Sequence, residues 1–180
     1  MGKKRIVLGV TGSIAAYKAA DIIRRLQEKG VKVSVVMTSE AQRFITPLTL
    51  ATLSGEPVGQ EMFGDSDTAW QMNHLRLTQE ADALLIAPAT GNIIGKMANG
   101  LADDLLSCLV LASKVPIIVA PAMNEDMYHN RIVQQNIKKL KDSGIKFVDP
   151  VKGELACGTY GEGHIADIKD IIKAVDRLIG

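Results

Sequence analysis

RIVLGVTGSIAAYKAADIIRRLQEKG, residues 5–30, changes its periodicity part-way along. RIVLGV, residues 5–10, is an unbroken apolar run rich in branched side chains, the pattern of a strand buried on both faces. Thr11-Gly12-Ser13 interrupts it. From Ile14 the apolar residues Ala15, Ala19, Ile22, Ile23 and Leu26 recur on one helical face, and Arg24, Arg25, Gln27 and Glu28 fall opposite. Gly30 then suits the end of a helix. Strand, glycine turn and helix make one β-α unit, and the remainder of the chain repeats that grammar.

Strands are predicted at 31–37, 81–89, 114–122 and 145–149, and helices at roughly 92–111 and 127–144. Asp167 is placed to cap a last helix, in which Ile168, Ile171, Ile172, Val175 and Leu178 repeat at helical spacing. Alternating strands and helices predict an α/β fold, a parallel sheet covered on both faces, over a single domain of residues 1–180. Ligands of such sheets gather at the carboxyl ends of the strands. GVTGS, MTSEA, APATGN and APAMN all stand at such ends.

Bulk composition narrows the class. The 180 residues are 47% apolar with a net charge of +1, which argues against a nucleic-acid glove or a charged tail. Aromatics are only 4%, so the core must be aliphatic. The longest apolar runs are too short to span a bilayer. Two cysteines and an N-terminus unlike a signal peptide lead to the expectation of reduced thiols and a cytoplasmic location. No two of the three histidines have metal-ligand spacing, so no metal site is expected.

The first turn is suited to a phosphate, because glycine allows a tight turn and Ser13 adds a hydroxyl at the helix start. The same Gly-Ser pair is equally at home as a plain helix cap. Its spacing departs from GxGxxG. A dinucleotide site wants an acidic residue closing the second strand, where Met37-Thr38-Ser39 stands, with Glu40 one step beyond. Neutral hydroxyls there suit a mononucleotide, and FMN is the leading candidate. GELACGTYGEGH, residues 153–164, puts four glycines around one thiol, Cys157, between an extended segment and a helix.

Several stretches in order, GVTGSIAAYKA, TSEAQRFITP, NHLRL, APATGNIIGKMANGLADDLL, PAMNEDM and GELACGTYGEGH, resemble the homo-oligomeric flavin-containing cysteine decarboxylases. The resemblance runs from about residue 4 to about residue 178 and is nearest to members that act on phosphopantothenoylcysteine in coenzyme A biosynthesis. It implies a Rossmann-like, flavodoxin-like three-layer fold, bound FMN, and a trimer or a dodecamer built from trimers, with no nucleic-acid or membrane partner. It also implies the reaction: oxidation to a thioaldehyde, loss of CO2 to an enethiolate, and reduction to phosphopantetheine. His74 matches the family's catalytic histidine, and Cys157 the flap cysteine that protonates the enethiolate. Asn124 matches the asparagine that receives the substrate carboxylate, with Met127, Ala156 and Gly158 also at the substrate. Gly12, Ser13, Ser39, Ala89, Thr90 and Asn92 match the flavin side of the site. Asp103 and Asp104 read as helix caps near the flavin and a subunit contact, and Cys108 as a core residue of an apolar helix.

Two positions depart from the family pattern. Gln79 stands where a basic residue is frequent, and His164 where an arginine is. Both bear on which substrate is taken, since neither offers the permanent charge that a substrate phosphate wants; Arg76 is a substitute in the first case. Bacterial relatives commonly continue into a ligase domain, for which nothing in these residues corresponds. The chain is therefore expected to be either monofunctional or the N-terminal half of a longer protein. Two other readings stay open on this scaffold, decarboxylation of a peptide C-terminal cysteine and a non-catalytic FMN-binding regulator; flavin prenyl transfer is set aside, because His74, PAMN and Cys157 are not what that chemistry asks for.

Overall fold

The computed structural model describes residues 4–62, 77, 79–154, 158 and 160–180. Five parallel strands form the main sheet: β1 (Arg5–Val10), β2 (Lys32–Met37), β3 (Ala83–Ala89), β4 (Ile117–Pro121) and β5 (Lys146–Phe147). Their order is β2-β1-β3-β4-β5. The chain first moves outward from β1 to β2, then crosses back to the other side of β1 for β3. Connections therefore leave β1 and β3 in opposite directions, which opens a crevice at their carboxyl ends. This is the flavodoxin-like order, and that crevice is where such sheets bind ligands.

Seven helices accompany the sheet among the described residues: α1 (Ala19–Glu28), α2 (Pro47–Ser54), α3 (Gly91–Asn99), α4 (Leu105–Ala112), α5 (Glu125–His129), α6 (Arg131–Asp142) and α7 (Ile168–Ile179). Side-chain alternation along the strands divides the core into two layers. Ile6, Leu8 and Val10 of β1 pack with Ile22, Ile23 and Leu26 of α1 and with Ile171, Ile172 and Val175 of α7. Val7 faces the other way, into the layer built by Ile93 and Ile94 of α3, Leu106 and Leu109 of α4, and Ile137 and Leu140 of α6. Beyond the main sheet lies an antiparallel pair, β6 (Val151–Glu154) and β7 (Tyr160–His164).

The structure divides helices that periodicity had run together. Residues 92–111 become α3 and α4, because Gly100 adopts a left-handed conformation (φ 67°) and Asp104 starts a second helix through a reciprocal cap with Ser107. Residues 127–144 become α5 and α6, parted at Asn130, whose extended backbone and side chain cap the second of them. Helix one opens as a 3-10 turn, Ile14–Lys18, before α1. Asp167 sits at the start of α7 but accepts no hydrogen bond from it, so it is no side-chain cap. The strand expected over 145–149 shrinks to the two residues of β5. Helix α2, with its Thr46 cap, and the β6-β7 pair had no counterpart in the periodicity.

Candidate active site

All four strand-end segments meet in one cavity of about 280 Å³, lined by Thr11, Gly12 and Ser13 after β1, Thr38 and Glu40 after β2, Thr90 to Ile93 after β3, and Ala122 and Met123 after β4. The crevice is set by one buried hydroxyl. Thr11 Oγ1 donates to the Pro88 carbonyl at 2.7 Å and accepts from the Thr90 N–H at 3.0 Å, tying the ends of β1 and β3 together. Ser13 caps the 3-10 turn by accepting from the Ala15 N–H, and Thr90 caps α3 by accepting from the Ile93 N–H. Gly12 must be glycine, because a Cβ there would overlap Glu40 Cβ.

Carboxylates edge this cavity. Lys96 lies 2.7 Å from both Asp103 and Asp104. Burial works against the charge on Asp104, but the hydrogen bonds from Lys96 and Ser107 outweigh it and hold the carboxyl below its ordinary range. The backbone N–H of Glu40 itself, with Ser39, likewise lowers Glu40.

A second cavity of about 890 Å³ shares Ser13, Ala122 and Met123 with the first. Its other walls are Lys18 and neighbours of the 3-10 turn, Asn124, and residues of the β6-β7 pair including Gly153, Gly158 and His164. The pair is fastened to α5 and the turn before it, where His129 Nε2 lies 3.3 Å from Glu162 Oε2. Met123 N–H donates to the Gly163 carbonyl at 3.1 Å. Glu125 Oε1 accepts from the Glu162 N–H at 3.0 Å. Gly163, at φ 144°, lies so close to Met123 that a Cβ would overlap the Met123 carbonyl oxygen. Asn124 Oδ1 accepts from the N–H groups of Asp126 and Met127, so the predicted substrate ligand also starts α5. Lys18 Nζ and His164 Nε2 lie 2.8 Å apart.

Of the residues singled out from the sequence, Gly12, Ser13, Thr90, Asn92 and Met127 line the smaller cavity, and Asn124 and Gly158 the larger. Ala89 is fully buried beneath the turn, and Ser39 is exposed and donates to Glu40; neither is among the lining residues. His74, Ala156, Cys157 and Arg76 lie outside the described residues. Cys108 is half-buried rather than core, its thiol 3.2 Å from Met62 Sδ. Gln79 is exposed, stands a few residues ahead of Ala83 where β3 begins, and is not among the residues lining either cavity. Thr11, Glu125 and Lys18 were missed, because each acts through a contact far away in sequence. Among the described residues no group of His, Cys, Asp and Glu is placed to hold a metal ion, and no helix is long and apolar enough to cross a membrane.

Comparison with known proteins extends over the whole chain. The coenzyme A biosynthesis bifunctional protein CoaBC of Vibrio vulnificus is 46% identical over 175 residues, covering 97% of this chain and 43% of that protein. The chain thus spans less than half the length of such bifunctional relatives. A probable phosphopantothenoylcysteine decarboxylase of Streptococcus mutans is 44% identical, with 98% of this chain and 99% of that protein covered. Among solved structures, a PPC decarboxylase variant complexed with pantothenoylaminoethenethiol superposes with a TM-score of 0.84 at 32% identity, covering 98% of each chain. The FMN binding protein AtHal3 gives 0.81 at 34% identity, covering 98% of this chain and 96% of that one. The profile described as Flavoprotein matches residues 1–180. That match, over the full 1–180, settles the kinship: the chain belongs to the flavoprotein family.

Proposed function

We propose that this chain binds FMN in the crevice at the ends of β1 and β3 and decarboxylates phosphopantothenoylcysteine to phosphopantetheine, as a step of coenzyme A biosynthesis in the cytoplasm. The observation that carries the reading is the joining of two cavities through Ser13, Ala122 and Met123, one sized for part of a mononucleotide and the other for a substrate beside it. Its donors fit the cofactor. Ser13, Thr38, Thr90 and Asn92 supply hydroxyl and amide groups, while the carboxylates of Glu40 and Asp104 are acceptors that ribityl hydroxyls can satisfy and a phosphate cannot. FMN supplies the redox chemistry when bound, accepting and returning a hydride.

The chain binds, orients and moves protons. Asn124, at the turn shared by both cavities, presents an amide whose donor end is what a carboxylate requires. His74 takes the thiol proton, a task matched to an imidazole near neutral pH. Cys157, carried between β6 and β7, returns a proton to the enethiolate. The β6-β7 pair walls the larger cavity, which keeps water from a reactive intermediate. Ile14 and Tyr17, both exposed at the first turn, support assembly into trimers or a dodecamer of trimers.

The test is mass spectrometry of phosphopantothenoylcysteine incubated with the purified yellow protein. Loss of CO2 to give phosphopantetheine is expected. Intact substrate beside bound FMN would refute this reading and turn attention to a peptide C-terminal cysteine or a regulatory flavoprotein.

A further inference from the structure

Lys18 ends the 3-10 turn after β1, and His164 ends β7, 146 residues further along. The fold brings their nitrogens to 2.8 Å on the wall of the larger cavity. At that separation one proton lies between the two nitrogens, so Lys18 donates to a neutral imidazole and keeps two further N–H donors. Burial first, and then Lys18, push the His164 ring below its ordinary range, while Asp167 opposes them. Lys18 is also lowered, by burial, again against Asp167. The other charged groups lining the cavity are Asp167, ahead of α7, and Lys152 of β6. Among the described residues, two lysines and a titratable histidine thus face a single carboxylate. Joining two bases is a poor way to secure a hairpin when a carboxylate would do it better. It is a good way to receive an anion, whose charge favours uptake of a proton from solvent by the second base.

We propose that Lys18 and His164 form the subsite for the terminal phosphate of the substrate, a phosphate monoester, on the wall of the cavity that also holds Asn124. This inference rests on the decarboxylase reading. Gln79 is not among the residues lining that cavity. A phosphate monoester is a dianion near neutral pH, since its second pKa is about 6. Its arrival raises the His164 pKa and draws in a proton, so that the bound dianion meets two cations. Affinity for the phosphorylated substrate therefore strengthens as pH falls from about 8 toward the histidine range near 6.5.

The experiment compares phosphopantothenoylcysteine with unphosphorylated pantothenoylcysteine as substrates of the FMN-loaded protein. Lys18→Met and His164→Gln are expected to raise KM about tenfold or more for the phosphorylated substrate. KM for the unphosphorylated one and kcat for both should stay unchanged. His164→Arg should preserve phosphate selectivity while removing its pH dependence, which a merely structural Lys-His link would not predict. Equal losses on both substrates, or unaltered selectivity in Lys18→Met, would overturn the subsite while leaving the decarboxylase reading intact. If the wild-type protein turns over neither substrate, the decarboxylase reading fails by itself. Calorimetric titration with 4′-phosphopantothenate and pantothenate then decides the subsite: a preference for the phosphate lost in Lys18→Met sustains it, and no preference refutes it.

Discussion

Thr11 holds the end of β1 to the end of β3 with both halves of its hydroxyl, so the crevice depends on one oxygen. Valine keeps the shape and removes the donor and acceptor, leaving the Pro88 carbonyl and the Thr90 N–H without this partner. Thr11→Val should cost about 1–3 kcal/mol in urea unfolding and release flavin that the wild type retains, while Thr11→Ser should keep both stability and colour. A Thr11→Val protein as stable and as yellow as wild type would show that the tie is dispensable. Gly12 and Ser13 could be read from the sequence because a cap or tight turn leaves a local mark beside the helix it starts, whereas Thr90 came only with the family resemblance. Thr11 could not, since its partners are almost eighty positions away and threonine at a strand end has no single meaning. Ser39 shows the converse: its place after β2 was right, but its hydroxyl turned to its neighbour Glu40.

At the scale of elements, capping decided what periodicity could not. The apolar pattern of 92–111 is continuous enough to suggest one helix, and only Gly100 and the Asp104-Ser107 cap mark the break. That cap is also an electrostatic joint, because Lys96 from α3 grips the carboxylate that starts α4. With its folded-state pKa below the unfolded value, Asp104 contributes stability above the ordinary carboxylate range of about 4, and this is lost as pH falls through the depressed value. Asp104→Asn should therefore be less stable than wild type at neutral pH, with the gap closing in acid; chemical denaturation at a series of pH values measures it, and a gap independent of pH would contradict the assignment. The β6-β7 pair escaped the periodicity for another reason. Glycines at 153, 161 and 163 erase the alternating pattern of a strand, and the pair is held by contacts with Met123 and Glu125 instead. Gly163→Ala should loosen this pair alone, seen as faster amide exchange over 151–154 and 160–164 with β1 and β3 protected as before. Unchanged exchange would mean that the close approach to Met123 is not what secures it.

For the whole molecule, strand and helix alternation sufficed to predict the layers, because each apolar run must find a partner on one side of the sheet or the other. The order of the strands did not follow from that pattern, since either edge of β1 would accept β3; the structure places β3 on the side away from β2 and so creates the crevice. The two core layers share one sheet, so they should fail together. Ile171→Ala in the α7 layer and Leu109→Ala in the α4 layer should each cost about 2–5 kcal/mol, with circular dichroism and flavin fluorescence reporting one coincident transition. Two separated transitions would show that the layers are independent.

The attachment of β6 and β7 to the turn before α5 also has an evolutionary consequence. Backbone groups, Glu125 and the contact of His129 with Glu162 make the joint, so none of these contacts depends on a side chain between residues 154 and 160. The stems are a fixed socket, set by groups that lie outside the segment they carry. A lineage can vary the side chains there other than Cys157, a residue at a time, without disturbing the crevice that both cavities share.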